Sequence, residues 1–119
     1  MQLTQVSSSN GVAHVAVQGE VSNISPTAAD PLVAALGAEV YAGKLMLDLS
    51  GATYLDSSGI GWLIACQKRS REAGGKIALL QPPPLVLNVL KVANLHHFFQ
   101  IASTANEARQ LFARESPTS

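Results

Sequence analysis

Leu45-Met46-Leu47-Asp48-Leu49-Ser50-Gly51-Ala52-Thr53-Tyr54-Leu55-Asp56-Ser57-Ser58-Gly59-Ile60-Gly61 is the stretch on which the fold turns. Leu45 to Leu49 is nearly continuous apolar sequence, which suits an interior strand covered on both faces, as in a parallel sheet. A short polar loop follows. Asp56-Ser57-Ser58-Gly59 then opens a segment of helical spacing that runs from Ser57 to Ala73 and stops at Gly74-Gly75. That places two hydroxyls where a helix presents unpaired backbone N–H groups and the positive end of its dipole. A phosphate added there meets a favourable field, so the segment reads as a switch that changes charge without unfolding its host. Asp56 suits the helix cap and Asp48 a strand end. Lys68, Arg69 and Arg71 fall in the last turns, where cations suit the dipole's negative end.

Working outward toward the amino terminus, Leu3 to Ser7 and Val12 to Gln18 read as two strands around the turn signal Asn10-Gly11, with Gly19 closing the second. A helix starts at Ser25-Pro26-Thr27, or with Pro31 in its first turn. It carries Leu32, Val33, Leu36 and Val40 on one face and ends at Ala42-Gly43. In the other direction, Lys76 to Leu80 is a short apolar strand. Pro82-Pro83-Pro84 forces extended backbone before a short helix from Leu85 to Val92. Leu95 to Phe98 caps that segment, and Phe99 to Ala102 is the last strand. Thr104 to Glu107 forms a capping box for a final helix with Leu111 and Phe112 on its apolar face. This alternation predicts one α/β domain over residues 1–115, with a mainly parallel central sheet, an N-terminal antiparallel hairpin and packed helices. Residues 116–119 are expected to be a disordered tail.

Composition supports a folded domain. Apolar residues make up 47% of the 119 and charged residues only 13%, enough for one core and too apolar for disorder. Eight basic and eight acidic residues cancel, so neither nucleic acid nor an anionic membrane is an expected partner. No apolar run approaches the roughly 20 residues that cross a bilayer, and no signal-like segment opens the chain, so the cytoplasm is the expected compartment. The single Cys66 cannot form an internal disulfide and reads as a small buried hydrophobe.

Catalytic chemistry finds little support. A Ser-His-Asp enzyme needs a base within reach of its hydroxyl, yet His14 falls mid-strand and His96-His97 follow the third helix. The Gly-x-Ser-x-Gly elbow is absent. Gly59-x-Gly61 is too short for a dinucleotide fingerprint, and His96-His97 lack companion ligands, so neither a cofactor nor a metal is expected. On the helix from Ser57, the residues Ile60, Leu63, Ile64 and Gln67 share a sector that should pack on the sheet. Trp62, Ala65 and Arg69 then point away from it. Trp62 and Arg69 beside a switchable hydroxyl resemble the composition of a protein interface, with gap-filling against a neighbouring helix the other reading of Trp62.

The block from Leu45 to Ala78, in which Asp-Ser-Ser-Gly-x-Gly is followed by Glu72-Ala73-Gly74-Gly75, resembles the STAS domain family, and within it the bacterial anti-sigma factor antagonists. Gly19-Glu20 and Val92-Ala93-Asn94-Leu95 match the same layout, and the resemblance extends from about Val6 to Leu111. It implies that an anti-sigma factor, itself a serine kinase, phosphorylates Ser57. The unphosphorylated form would bind that kinase and free sigma, phosphorylation would release it, and a PP2C-type phosphatase would restore the active form. Asp56, Ser58 and Gly59 would shape the site, while Glu20, Ser22, Gly61, Trp62 and Arg69 would contact the partner. The chain would act as a monomer or weak dimer and not as an enzyme. Two features depart from the pattern. Ser22 stands where relatives usually carry aspartate, and Pro82-Pro83-Pro84 is unusual. A STAS scaffold or accessory subunit of a signalling or transport complex, acting without phosphorylation, is the alternative. A nucleotide-binding domain built on Gly59-x-Gly61 is a third.

Overall fold

The computed structural model describes residues 1–9, 11–25 and 29–114. The turn residue Asn10, part of the Ser25-Pro26-Thr27 helix start and the tail 116–119 lie outside the described residues. The strands are β1 (Gln2–Ser9), β2 (Val12–Val21), β3 (Lys44–Leu55), β4 (Lys76–Leu80) and β5 (Gln100–Ala102). The helices are α1 (Pro31–Leu36), α2 (Ser57–Ala73), α3 (Pro84–Val92) and α4 (Ala105–Arg114), with a 3₁₀ turn at Ala38–Ala42. The five strands lie in sequence order, β1-β2-β3-β4-β5. β1 runs antiparallel to β2, and every other pair is parallel.

Period-two alternation divides the core between the two faces of this sheet. Val15, Val17, Leu45, Leu47, Leu49, Ile77 and Leu79 point to one side, where Leu32 of α1, Leu63 and Cys66 of α2 and Val86 and Leu90 of α3 cover them. Val12, Met46, Ala78, Leu80 and Ala102 point to the other, against Ala108 and Phe112 of α4. Leu45, Met46, Leu47 and Leu79 have no exposed surface, as interior strands covered on both faces require.

β3 departs from the sequence-based expectation. Ser50 to Leu55, expected as a polar loop, continues the strand, because β2 also runs on past Gln18 to Val21 and supplies a parallel partner as far as Val21 opposite Leu55. Asp48 is therefore mid-strand and not at a strand end. Two register shifts, between Ala16 and Gln18 and between Gly19 and Glu20, each place an extra β3 residue against β2. Such bulges increase local twist, and buried Ala52 and Leu55 keep the extension anchored to the core.

α1 takes the Pro31 start. Asp30 caps it by accepting from the Leu32 N–H at 2.9 Å. It ends at Gly37, so Val40 sits in the 3₁₀ turn and not on the helix. α3 begins at Pro84, one residue earlier than expected, since proline is tolerated in a first turn. Before α4, the Glu107 N–H donates to Thr104 Oγ1 at 3.0 Å, and Glu107 Oε1 accepts from the Ser103 N–H at 3.2 Å.

Candidate functional site

Because β2 and β3 are parallel, their carboxyl ends finish side by side, and α2 springs from that edge. Asp56 leaves β3 with its N–H donating to the Val21 carbonyl at 3.3 Å. Its Oδ1 then accepts from the Gly59 N–H at 2.9 Å and from the Ser58 hydroxyl at 2.7 Å. Those bonds, the Gly59 amide first and the Ser58 hydroxyl second, hold the Asp56 carboxyl below its ordinary value. Ser58 Oγ also accepts from the Ile24 N–H at 3.0 Å, which fastens the loop after β2 to the first turn of α2. Gly59 is required at this crossing, since a Cβ there would lie 2.1 Å from the Val21 carbonyl oxygen.

The two serines thus have different duties. Ser58 is half-buried and committed to two hydrogen bonds. Ser57 is exposed at the first position of α2, and its hydroxyl makes no hydrogen bond among the described residues. Glu20 is exposed and Ser22 half-buried on the adjacent end of β2, so the structure brings both to the same edge as Asp56 to Gly61. Gly61 is exposed, one turn along α2, with open space where a side chain would be. No histidine is hydrogen-bonded to either serine: His14 faces Asp48 on the sheet at 3.6 Å, longer than a hydrogen bond.

Trp62 corrects an expectation. It does not lie on the outer face; it is only 5% exposed. The buried face of α2 is formed by Gly59, Trp62, Leu63, Cys66, Gln67 and Ser70, while Ile60 and Ile64 are only half-buried at its flank. The helix is rotated relative to the expected sector because it packs against the 3₁₀ turn as well as on the sheet, and Asp30, the cap of α1, accepts from the Trp62 indole.

The residue that organises this packing is Asp30, missed in the sequence, where its one signal was the capping position before Pro31. Its side chain is 9% exposed. Beyond capping α1, it accepts from the Tyr41 hydroxyl at 2.5 Å, from Arg69 Nη1 at 2.6 Å and from the Trp62 indole N–H at 3.4 Å. Cys66 Sγ lies 3.3 Å from the Tyr41 oxygen. Burial pushes the Cys66 thiol up to about 12 and raises the Tyr41 phenol as well. Between this cluster and the serines runs a cavity of about 370 Å³, walled by Ile24, Pro31, Trp62 and Arg69, with Ser57, Ser58 and Gly61 at its α2 rim. Arg69 is therefore at the far end of the groove, roughly three turns from Ser57.

Comparison with known proteins fits this architecture. The family model described as "Mlab, STAS domain" matches residues 4–102. BtrV of Bordetella bronchiseptica, named as a candidate anti-sigma factor antagonist, is 27% identical over 110 residues, 91% of this chain and 92% of that protein. An anti-sigma factor antagonist from Mycobacterium paratuberculosis superposes with a TM-score of 0.66 at 26% identity, covering 92% of this chain and 93% of that one. The unphosphorylated anti-sigma factor antagonist SpoIIAA superposes at 0.67 with 20% identity over 97% of both chains, and its phosphorylated Bacillus form at 0.61 with 18% identity over 93% of this chain and 97% of that one. These last two likenesses are of fold.

Proposed function

Because the chain belongs to the STAS domain family, we propose that it is an anti-sigma factor antagonist: a binding module, not an enzyme, that captures an anti-sigma factor kinase and lets it go when Ser57 is phosphorylated. The names of BtrV and of the Mycobacterium paratuberculosis protein support the class of partner. One observation carries the switch. Of two adjacent hydroxyls, Ser58 is tied down by Asp56 and Ile24, and Ser57 stands exposed and unbonded at the positive end of a 17-residue helix. A phosphate on Ser57 adds about 1.5 to 2 negative charges at neutral pH without breaking any hydrogen bond of the fold. The open surface at Gly61, exposed Glu20 and half-exposed Tyr54 give a partner a face around that hydroxyl. Desolvation and repulsion at such an interface release the partner, and a PP2C-type phosphatase resets the module. The cycle needs no membrane, nucleic acid or cofactor, and it belongs in the cytoplasm with a monomeric or weakly dimeric chain.

The test is capture of the partner from the source cell, followed by incubation with ATP. A mass gain of one phosphate is expected, lost in Ser57→Ala and kept in Ser58→Ala. Phosphate on Ser58, or on neither serine with an active kinase, contradicts it. One observation favours a second reading. Ser22 supplies no carboxylate beside the helix start, so a kinase that reads an acidic group there finds none, and the chain would then serve as a STAS scaffold or accessory subunit. In that case Ser57→Asp leaves binding of the captured partner unchanged.

A further inference from the structure

The opposite end of α2 carries a second concavity of a different kind. A cavity of about 310 Å³ lies where α2 ends, bounded by Gln67, Ser70, Arg71, Lys76, His97 and Phe98. That volume is at the small end of ordinary ligand sites. Arg71 brings a permanent positive charge to it, and no acidic residue lines the space. Among the described residues neither Arg71 nor Lys76 nor His97 forms an ion pair. Arg71 is held over the Phe98 ring, 5.2 Å from its centroid, an arrangement that fixes the guanidinium while leaving its edge for hydrogen bonding. Lys76 borders the cavity at the start of β4, but its Nζ donates to the Phe112 carbonyl at 3.0 Å on the α4 face of the sheet, so its ammonium is turned away from α2.

Ser70 supplies the second observation. It is 1% exposed, it lines the cavity, and its hydroxyl oxygen has no hydrogen-bond partner. Buried hydroxyls are rarely left unsatisfied, because an unmade bond forfeits the full desolvation cost of the group. The α2 carbonyls of Ser70 and Arg71 are turned to the Gly75 and Gly74 N–H groups, which mutes the negative end of the helix dipole toward the cavity. Gly74 adopts the left-handed conformation, φ 82°, that permits this ending.

We propose that this cavity is a binding site for a small oxyanion of the phosphate class, recognised by the Arg71 guanidinium as a charge and by the Ser70 hydroxyl as a buried donor. Ser70 lies about 20 Å from Ser57 along α2, and the site does not depend on the switch proposed there. Inorganic phosphate and adenosine monophosphate supply the same chemistry from a free ion and from a nucleotide, and the two are titrated separately. Sodium chloride at matched ionic strength is the control.

Backbone amide shifts in heteronuclear NMR report both affinity and place. Saturable shifts centred on Ser70, Arg71 and Lys76 are expected with phosphate, with the monophosphate, or with both, and not with chloride. Ser70→Ala should weaken that affinity about tenfold while leaving the melting temperature without added anion unchanged or higher, since it deletes an unpaired buried hydroxyl. Arg71→Gln, on an exposed position, should weaken it by a similar factor without affecting folding. Shifts that fail to saturate, that chloride reproduces, or that survive both substitutions would overturn the proposal. So would a Ser70→Ala protein with a lowered melting temperature and undiminished phosphate affinity.

Discussion

Gly59 illustrates how closely the switch is built. The Val21 carbonyl occupies the space of its absent side chain, so Gly59→Ala must push the end of β2 away from α2. Chemical denaturation should show a loss of about 3 kcal/mol, whereas Gly61→Ala, in open space, should be neutral or slightly stabilising. Asp56 sets a pH dependence whose sign follows from its hydrogen bonds. Its carboxyl titrates below the ordinary 3.8, so its contribution is complete above that value and is lost as pH falls through the folded one. Thermal melts should therefore show an acid decline of stability that is shallower in Asp56→Asn. Cys66, held as a thiol up to about 12 by burial, should resist a disulfide reagent at neutral pH in the native protein and react promptly in denaturant. Rapid native labelling would contradict its placement. The cap was legible in the sequence because it depends on near neighbours along the chain; Cys66 was legible as a buried hydrophobe from its residue type, and Ser57 was singled out from Ser58 by the family resemblance.

At the scale of elements, legibility fails where contacts are long-range. Asp30 precedes Pro31 in an ordinary helix start, yet its other partners lie 11, 32 and 39 positions away. No local pattern announces such a hub. The same contacts explain why Trp62 is covered: the 3₁₀ turn packs on α2 and Asp30 bonds the indole, and helical periodicity alone does not say how many neighbours a helix has. Asp30→Asn keeps the shape and removes the charge that Arg69 and Tyr41 address. A loss of about 2 kcal/mol is expected on unfolding, moderated because Arg69 is half-exposed. If Arg69→Met destabilises as much as Asp30→Asn, the ion pair carries the hub. If it costs little, as we expect, the Tyr41 and α1 cap bonds carry it.

Over the whole molecule, alternation of strands and helices was sufficient to predict the hairpin and the parallel sheet. It missed the extension of β3, because Ser50-Gly51-Ala52-Thr53 has loop composition and becomes strand only through β2 beside it. That extension matters, since it carries Asp56 and Ser57 out to the edge where Glu20 and Ser22 also arrive. The sheet and α2 form a rigid mount, and the charge of one exposed side chain on it decides whether a partner stays. Calorimetric affinity of the captured anti-sigma factor for the unphosphorylated and Ser57-phosphorylated protein, with circular dichroism of both, tests this most directly. Phosphorylation is expected to lower affinity more than about a hundredfold, equivalent to roughly 3 kcal/mol, with unchanged spectra. Equal affinities, or a phosphorylated chain that has lost its folded spectrum, would contradict it.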